Sequence, residues 1–311
     1  MLSHRNQTVL RRIFKLPGSR IVASASGFKK ITVFFVVLFQ LFGALLFDLP
    51  TTPDGPDLDM SKFTLVWQDE FDAGSLDKNM WSGHYIWQAD DYGYQRDTSW
   101  WDMDHVKVED GSLIITADYR DTGPSATGYY ASAIDTHPGN GQYYGGEGYE
   151  QLYGYFEIRC KFPAGDGFNP AFWLLCEGMF LGETSGVNGC EIDIFETKTN
   201  PSGSTKRWKD SVYHTIHVGS YGDNHRQEVQ GHFCVGNPTE QFNTYGFEWN
   251  ENEYIWYING VESARTSFAG VCRVPMYLII SLGVDDYVNK EQLPAQFVID
   301  YVRAYQYTEL L

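Results

Sequence analysis

Residues 189–200 read GCEIDIFETKTN, and the fold turns on how that stretch is laid out. Acidic and apolar residues alternate from Glu191 to Ile194, and a two-residue alternation marks a strand with one buried face. Glu191 and Asp193 then point to one side, while Ile192 and Ile194 point into the core. Glu196 has the wrong parity for the acidic side. One extra residue in a β-bulge restores it, placing Ile194 or Phe195 on the apolar side and Glu196 beside the other acids. The expectation is a bulged strand carrying three carboxylates on one face.

Outward from this stretch the pattern stays strand-like. SLIITADY (112–119), YGYFEIRCKFP (153–163), EYIWYING (253–260) and QFVIDYVRAYQY (297–307) are rich in β-branched and aromatic residues and are bounded by Gly, Asn and Asp. No long stretch has a 3.6-residue period, and no internal repeat is visible. Asn259-Gly260, after alternating aromatics, signals a tight hairpin. Aromatic residues make up 16% of the chain, which suits a β core and also a cleft that stacks on sugar rings. Many short antiparallel strands over some 250 residues imply an all-β sandwich or barrel.

Three carboxylates on one strand face repel one another, so stability does not account for them. Repulsion raises at least one pKa, as a general acid at neutral pH requires. Retaining glycosidases hold two carboxyls roughly 5–5.5 Å apart. With a bulge, the Cα atoms of Glu191 and Glu196 are about four strand steps apart, on the order of 13 Å. Two inward-leaning side chains close most of that gap, and Asp193 sits between them. A solvated acidic edge or a calcium site would use the same residue types.

The charge is unevenly divided. Residues 1–47 hold seven basic residues and no acid; the other sixteen basic residues face all forty acidic ones, so 48–311 carries −24. Such a body repels nucleic acid and anionic membrane surfaces but does not deter a neutral polymer. After a basic tail (1–30) comes ITVFFVVLFQLFGALLF (31–47), flanked by Lys29 and Lys30 before and by acids after. This pattern predicts a transmembrane signal anchor, or the apolar region of a signal peptide, with the following domain exported. It gives a membrane-anchored extracytoplasmic protein, or a secreted one. Residues 48–60, containing TTPDGPDLD, read as a linker to a domain at 61–311. The five cysteines show no zinc spacing. Cys176 and Cys190 bracket a loop that a disulfide would close; five thiols on or near buried strands is the alternative.

The chain resembles glycoside hydrolase family 16, whose bulged signature E-x-D-x-x-E is matched by EIDIFE (191–196). The resemblance runs over about residues 63–307, through FTLVWQDEFD (63–72), YGYFEIRCKFPAGDGFNPAFWLL (153–175), VYHTIHVG (212–219), FNTYGFEWNENEYIWYINGV (242–261), PMYLIISLGV (275–284) and FVIDYVRAYQ (298–307). It implies a jelly-roll β-sandwich of two antiparallel sheets with an open concave cleft. It also implies a laminarinase-like retaining endo-β-glycanase that acts as a monomer on a polysaccharide, a β-glucan, without a catalytic cofactor. Galactan-, agar- or carrageenan-type hydrolysis, wall transglycosylation and a non-catalytic carbohydrate-binding module are the alternatives. Carried over by position, Glu191 is the nucleophile, Asp193 the assisting acid and Glu196 the acid/base. Trp173 forms an aromatic floor and His217 lines the cleft. Phe168 and Trp101 are further expected substrate contacts, and Trp87, Trp100 and Trp208 are candidate sugar platforms. Glu70, the Gly111 carbonyl and Asp300 match a structural Ca²⁺ site. Two stretches depart from the family. HYIWQADDYGYQRDTSWW (84–101) lacks the G-N-x-E-L-like block, and CEGMFLGETSGVNGC (176–190) is a longer link than usual. Both departures concern the substrate rather than the chemistry.

Overall fold

The computed structural model describes residues 50–83, 94–96, 98–123, 127–138, 147–197 and 211–311. The tail, the apolar run at 31–47, Trp87 and Trp208 lie outside the described residues. Among those described, no helix is long and apolar enough to cross a membrane.

The chain from Pro50 to Leu311 forms one unit built from strands. In order these are β1 (Phe63–Asp69), β2 (Tyr94–Arg96), β3 (Ser99–Trp101), β4 (Val106–Glu109), β5 (Ser112–Arg120), β6 (Gly128–Ala131), β7 (Ala133–Asp135), β8 (Glu150–Gln151) and β9 (Gly154–Lys161). They continue with β10 (Phe168–Leu175), β11 (Glu191–Glu196), β12 (Ser211–Val218), β13 (Arg226–Cys234), β14 (Asn243–Trp249), β15 (Tyr254–Ile258), β16 (Val261–Thr266), β17 (Met276–Val284) and β18 (Ala295–Tyr307). The smaller sheet runs β13-β12-β11-β10-β17-β7, with β8 also on β17. The larger runs β16-β15-β14-β9-β18-β5-β6-β3-β2, with β1 on β18 and β4 on β5. Among the described strands, pairing is antiparallel except between β3 and β6. This is the expected two-sheet sandwich.

Alternation decides which face each strand buries. Ile192, Leu174, Ile216 and Ile280 from the smaller sheet join Phe156, Ile158, Phe247 and Phe297 from the larger in one apolar core, all of them fully buried. At about 25 cal/mol per Å² of apolar surface, each such side chain contributes roughly 1.5–3 kcal/mol, offset by the entropy of ordering it. The hairpin at Asn259-Gly260 has positive φ at both residues (50° and 77°), as a two-residue turn matching the strand twist requires.

The expected linker is, from Pro50 onward, laid against the domain. Thr51 bridges β13, with Thr51 N donating to His232 O at 2.9 Å and Cys234 N to Thr51 O at 2.8 Å. Gly55 N donates to Glu262 O, Leu58 N to Gly260 O, and Glu262 N to Pro56 O. The segment covers two sheet edges through its backbone, and Leu58 packs on the small cluster of Phe63, Tyr155, Ile255 and Tyr257. Its Pro- and Asp-rich composition does not prevent this, because edge pairing uses main-chain groups alone.

Candidate active site

Strand β11 is bulged where the parity argument requires. Against β10, Trp173 pairs with Asp193 and Phe172 with Phe195, so Ile194 is the extra residue. Against β12, Asp193 pairs with Thr215 and the next partner pair is Glu196 with Tyr213. Phe195 turns inward among Phe162, Tyr245 and Phe297. The bulge leaves backbone groups without ladder partners, and the core supplies them. His214 Nδ1–H donates to Ile194 O at 2.5 Å, and Trp256 Nε1–H donates to Asp193 O at 3.2 Å. His214 is stacked between Phe233 and Trp256 with Nε2 at 2.8 Å from Ser263 Oγ. Complete burial pushes its pKa down to about 3, so the ring is neutral and can act as a fixed donor to the bulge.

Glu191, Asp193 and Glu196 line one cavity together with Trp101, Trp173, Asn169, Ala171, Ser281 and Gly283. The floor beside Glu196 is made of small residues: Ala171 lies opposite Glu196 and Ser281 opposite Ala171. Trp173 is held across the floor by its Nε1–H donating to Ser281 Oγ at 3.1 Å. Trp101 arrives from the larger sheet, whose β6-β3-β2 edge curls over the end of β17. Thr98 Oγ1 donates to Val284 O at 2.5 Å, and Val284 N donates to Ser99 Oγ at 3.3 Å.

Glu191 and Asp193 are only 5% and 3% exposed, so their charges need partners. His217 Nε2 lies 3.1 Å from Asp193 Oδ2 and 3.8 Å from Glu191 Oε1. Its Nδ1 meets His225 Nε2 at 2.9 Å, with the two rings stacked. Tyr221 Oη–H donates to Glu191 Oε2. Glu191, Asp193 and His217 are the one group of three close enough to hold a metal among the described residues. The His217 nitrogen facing the acids is engaged with Asp193, so the group works as a hydrogen-bonded acid pair and needs no cation to explain it.

A family model described as glycosyl hydrolases family 16 matches residues 94–303. The chain belongs to that family. As a family 16 chain it is a glycoside hydrolase, and its two-sheet jelly-roll sandwich agrees with solved members. It is 29% identical over 271 residues to a beta-glucanase of Rhodothermus marinus, covering 79% of this chain and 86% of that protein. It is 28% identical to a keratan-sulfate endo-1,4-beta-galactosidase of Sphingobacterium multivorum, covering 78% of this chain and 55% of that longer protein. The X-ray structure of the laminarinase from Rhodothermus marinus superposes with a TM-score of 0.60 at 26% identity, over 79% of this chain and 98% of that one.

The structure brings together Glu191, Asp193, Glu196, Trp173, His217 and Trp101 in this family 16 domain. It does not bring Phe168 to them. Asn169, Ala171 and Trp173 face the cavity, so Phe168 has the opposite parity and lies 2% exposed in the sandwich core. The calcium expectation meets a different environment. Arg303 donates to both oxygens of Glu70 at 2.7 and 3.0 Å, and Arg159 donates to Asp300. Gly111 closes the tight β4–β5 turn with φ 73°. Two guanidinium groups stand where a divalent cation would need the carboxylates, so these residues as placed do not fit Ca²⁺. All five cysteines are free thiols; Cys176 Sγ points to the Cys190 carbonyl at 3.8 Å, not to its sulfur. Sequence reasoning missed Tyr221 and Ser281. Ser281 had a signal, a hydroxyl inside the apolar run PMYLIISLGV; Tyr221, in a loop, had none.

Proposed function

We propose that this domain is a retaining endo-β-glycanase that hydrolyses internal β-1,3 or mixed β-1,3/1,4 glucan bonds by double displacement. The observation that carries the reading is the bulge of β11, which turns Glu191, Asp193 and Glu196 into one cavity. In the first step a Glu191 oxygen attacks the anomeric carbon while Glu196 gives its proton to the departing glycosidic oxygen. A covalent glycosyl-enzyme results. In the second step Glu196, now ionised, takes a proton from water as that water attacks the same carbon and frees Glu191. Asp193, bonded to His217, sets the charge beside Glu191. Trp173 and Trp101 line the same cavity as the acids. No cofactor enters either step. A structural calcium is not part of this reading, because Arg303 and Arg159 occupy its expected ligands.

The likeness to a beta-glucanase over most of both chains supports a glucan substrate. The galactosidase relative favours a second reading, a β-galactan substrate on the same machinery. Heavily sulfated polymers are opposed by the −24 carried by residues 48–311. We place the domain outside the cytoplasm, tethered through residues 31–47, on the strength of that apolar run and its basic flank. Product analysis over a panel of defined β-1,3, mixed-linkage and β-1,4 glucans and β-galactans tests the substrate. Oligosaccharides of several sizes from the first two are expected; release from galactans alone would replace the glucan reading.

A further inference from the structure

The long link 176–190 and the turn between β12 and β13 touch the site without belonging to the acid motif. The link leaves β10 at Cys176, makes a short helical turn at Glu177–Leu181, and re-enters β11 through Cys190. Its outer part is bonded to the β12–β13 turn: Asn224 Nδ2–H donates to Gly182 O at 3.0 Å, and Arg226 to Thr184 O at 3.1 Å. Gly186 N donates to Ala269 O and Arg273 N to Val187 O, which anchors the link on its other side. The turn itself is tight. Gly219 has φ 86°, and a Cβ there would meet Asn224 O at 2.1 Å, so only glycine lets the chain reverse here. The reversal throws Tyr221 back over the cleft, with its ring between Phe180 of the link (6.1 Å) and His225 (6.0 Å) and its hydroxyl on Glu191. Tyr221 is 48% exposed, so burial alone does not hold the ring in place.

We propose that the 176–190 link and the β12–β13 turn form a positioning wall, with Tyr221 as the positioning residue that orients the Glu191 carboxylate. The inference rests on the reading of Glu191 as nucleophile. A phenol donating to one carboxylate oxygen fixes the plane of the group and stabilises its ionised form before attack. The same turn supplies His225, which meets His217 and so bears on Asp193. Among the described residues, the titratable groups around Glu191 include Asp193 and Glu196 on its own strand, His217 from β12, and Tyr221 and His225 from the turn. Strands β10 and β17 contribute the uncharged Trp173 and Ser281.

The test is Tyr221→Phe in the full chain, assayed on a soluble β-1,3/1,4 glucan, beside Glu191→Gln. Loss of one hydrogen bond to a charged group should lower kcat by about 10-fold with KM within about 2-fold. Without the phenol the carboxylate is harder to ionise, so the acid limb of the kcat/KM profile should move up by about one pH unit. Thermal unfolding should stay where it is in the unaltered protein. Asn224→Ala with Arg226→Ala should reproduce part of the loss, and should add little when combined with Tyr221→Phe. An unchanged acid limb in Tyr221→Phe, whatever happens to rate, overturns the proposal, and so does full additivity of the clamp variants. If Glu191→Gln is inactive in that case, the nucleophile assignment stands and only the wall falls. An active Glu191→Gln would instead remove the catalytic reading itself.

Discussion

Glu191 and Glu196 share one cavity but differ in surroundings, and the proposed reading gives them different roles. Glu191 is buried beside Asp193, and Tyr221 donates a hydrogen bond to one of its oxygens, which holds it in one place. Glu196 is less buried, against Ala171, where a leaving group and then a water can reach it. Glu191→Gln is therefore expected to lower turnover by at least about 10⁴-fold while leaving polymer binding and the unfolding curve unchanged. Glu196→Ala should remain able to form the glycosyl-enzyme from an aryl glycoside with a good leaving group. Azide should then accelerate release, giving a β-glycosyl azide, because that anion attacks without base assistance. Absence of any azide product would remove Glu196 from the acid/base role. At this scale much was legible, since parity plus one bulge places three acids on one face and the family resemblance adds Trp173. The same parity, counted back from Trp173, sends Phe168 to the core. The arginines beside Glu70 and Asp300 were not legible, because strand pairing rather than spacing brings Arg303 and Arg159 to those carboxylates.

At the scale of the element, the bulge needs support from behind. His214 supplies it from the core face of β12, and its neutrality sets a pH dependence. The folded-state pKa of about 3 is below the ordinary 6.5, so on acidification the unfolded chain takes up its proton first. His214 thus costs nothing above pH 6.5 and destabilises the fold progressively as the pH falls from there toward 3. Between pH 6.5 and 4.5 the loss should be roughly 2–3 kcal/mol. His214→Asn keeps an N–H near the Nδ1 position but does not titrate. Urea unfolding at several pH values should show a shallower acid decline for this variant; parallel declines would mean that His214 is not buried as a neutral donor. The bulge could be read from the sequence because Glu196 is otherwise out of phase. Its support could not, since a histidine in VYHTIHVG gives no sign of which carbonyl it meets. Tyr221 was hidden for the same reason, as a turn residue has no periodicity to betray its direction.

For the molecule as a whole, the strand positions came from local alternation, while the pairing order and the edges came from elsewhere. Residues 50–60 contribute backbone bonds to β13 and to the β15–β16 hairpin that composition does not announce. A protein beginning at Pro50 should fold like the longer chain. One beginning at Ser61 loses five backbone hydrogen bonds, and at about 1 kcal/mol each its Tm should fall by roughly 10 °C. Equal melting temperatures for the two would mean that the segment is only loosely attached. The central claim is that Glu191 and Glu196, turned to one side of a single bulged strand, act as nucleophile and acid/base. Inversion would instead need a gap of roughly 6.5–9.5 Å between the carboxyls, wide enough for a separate water. Proton NMR during the first minutes of glucan hydrolysis reads the configuration of the new reducing end directly. The account predicts that the β-anomer appears first and the α-anomer only later, by mutarotation; an initial α-anomer would contradict it.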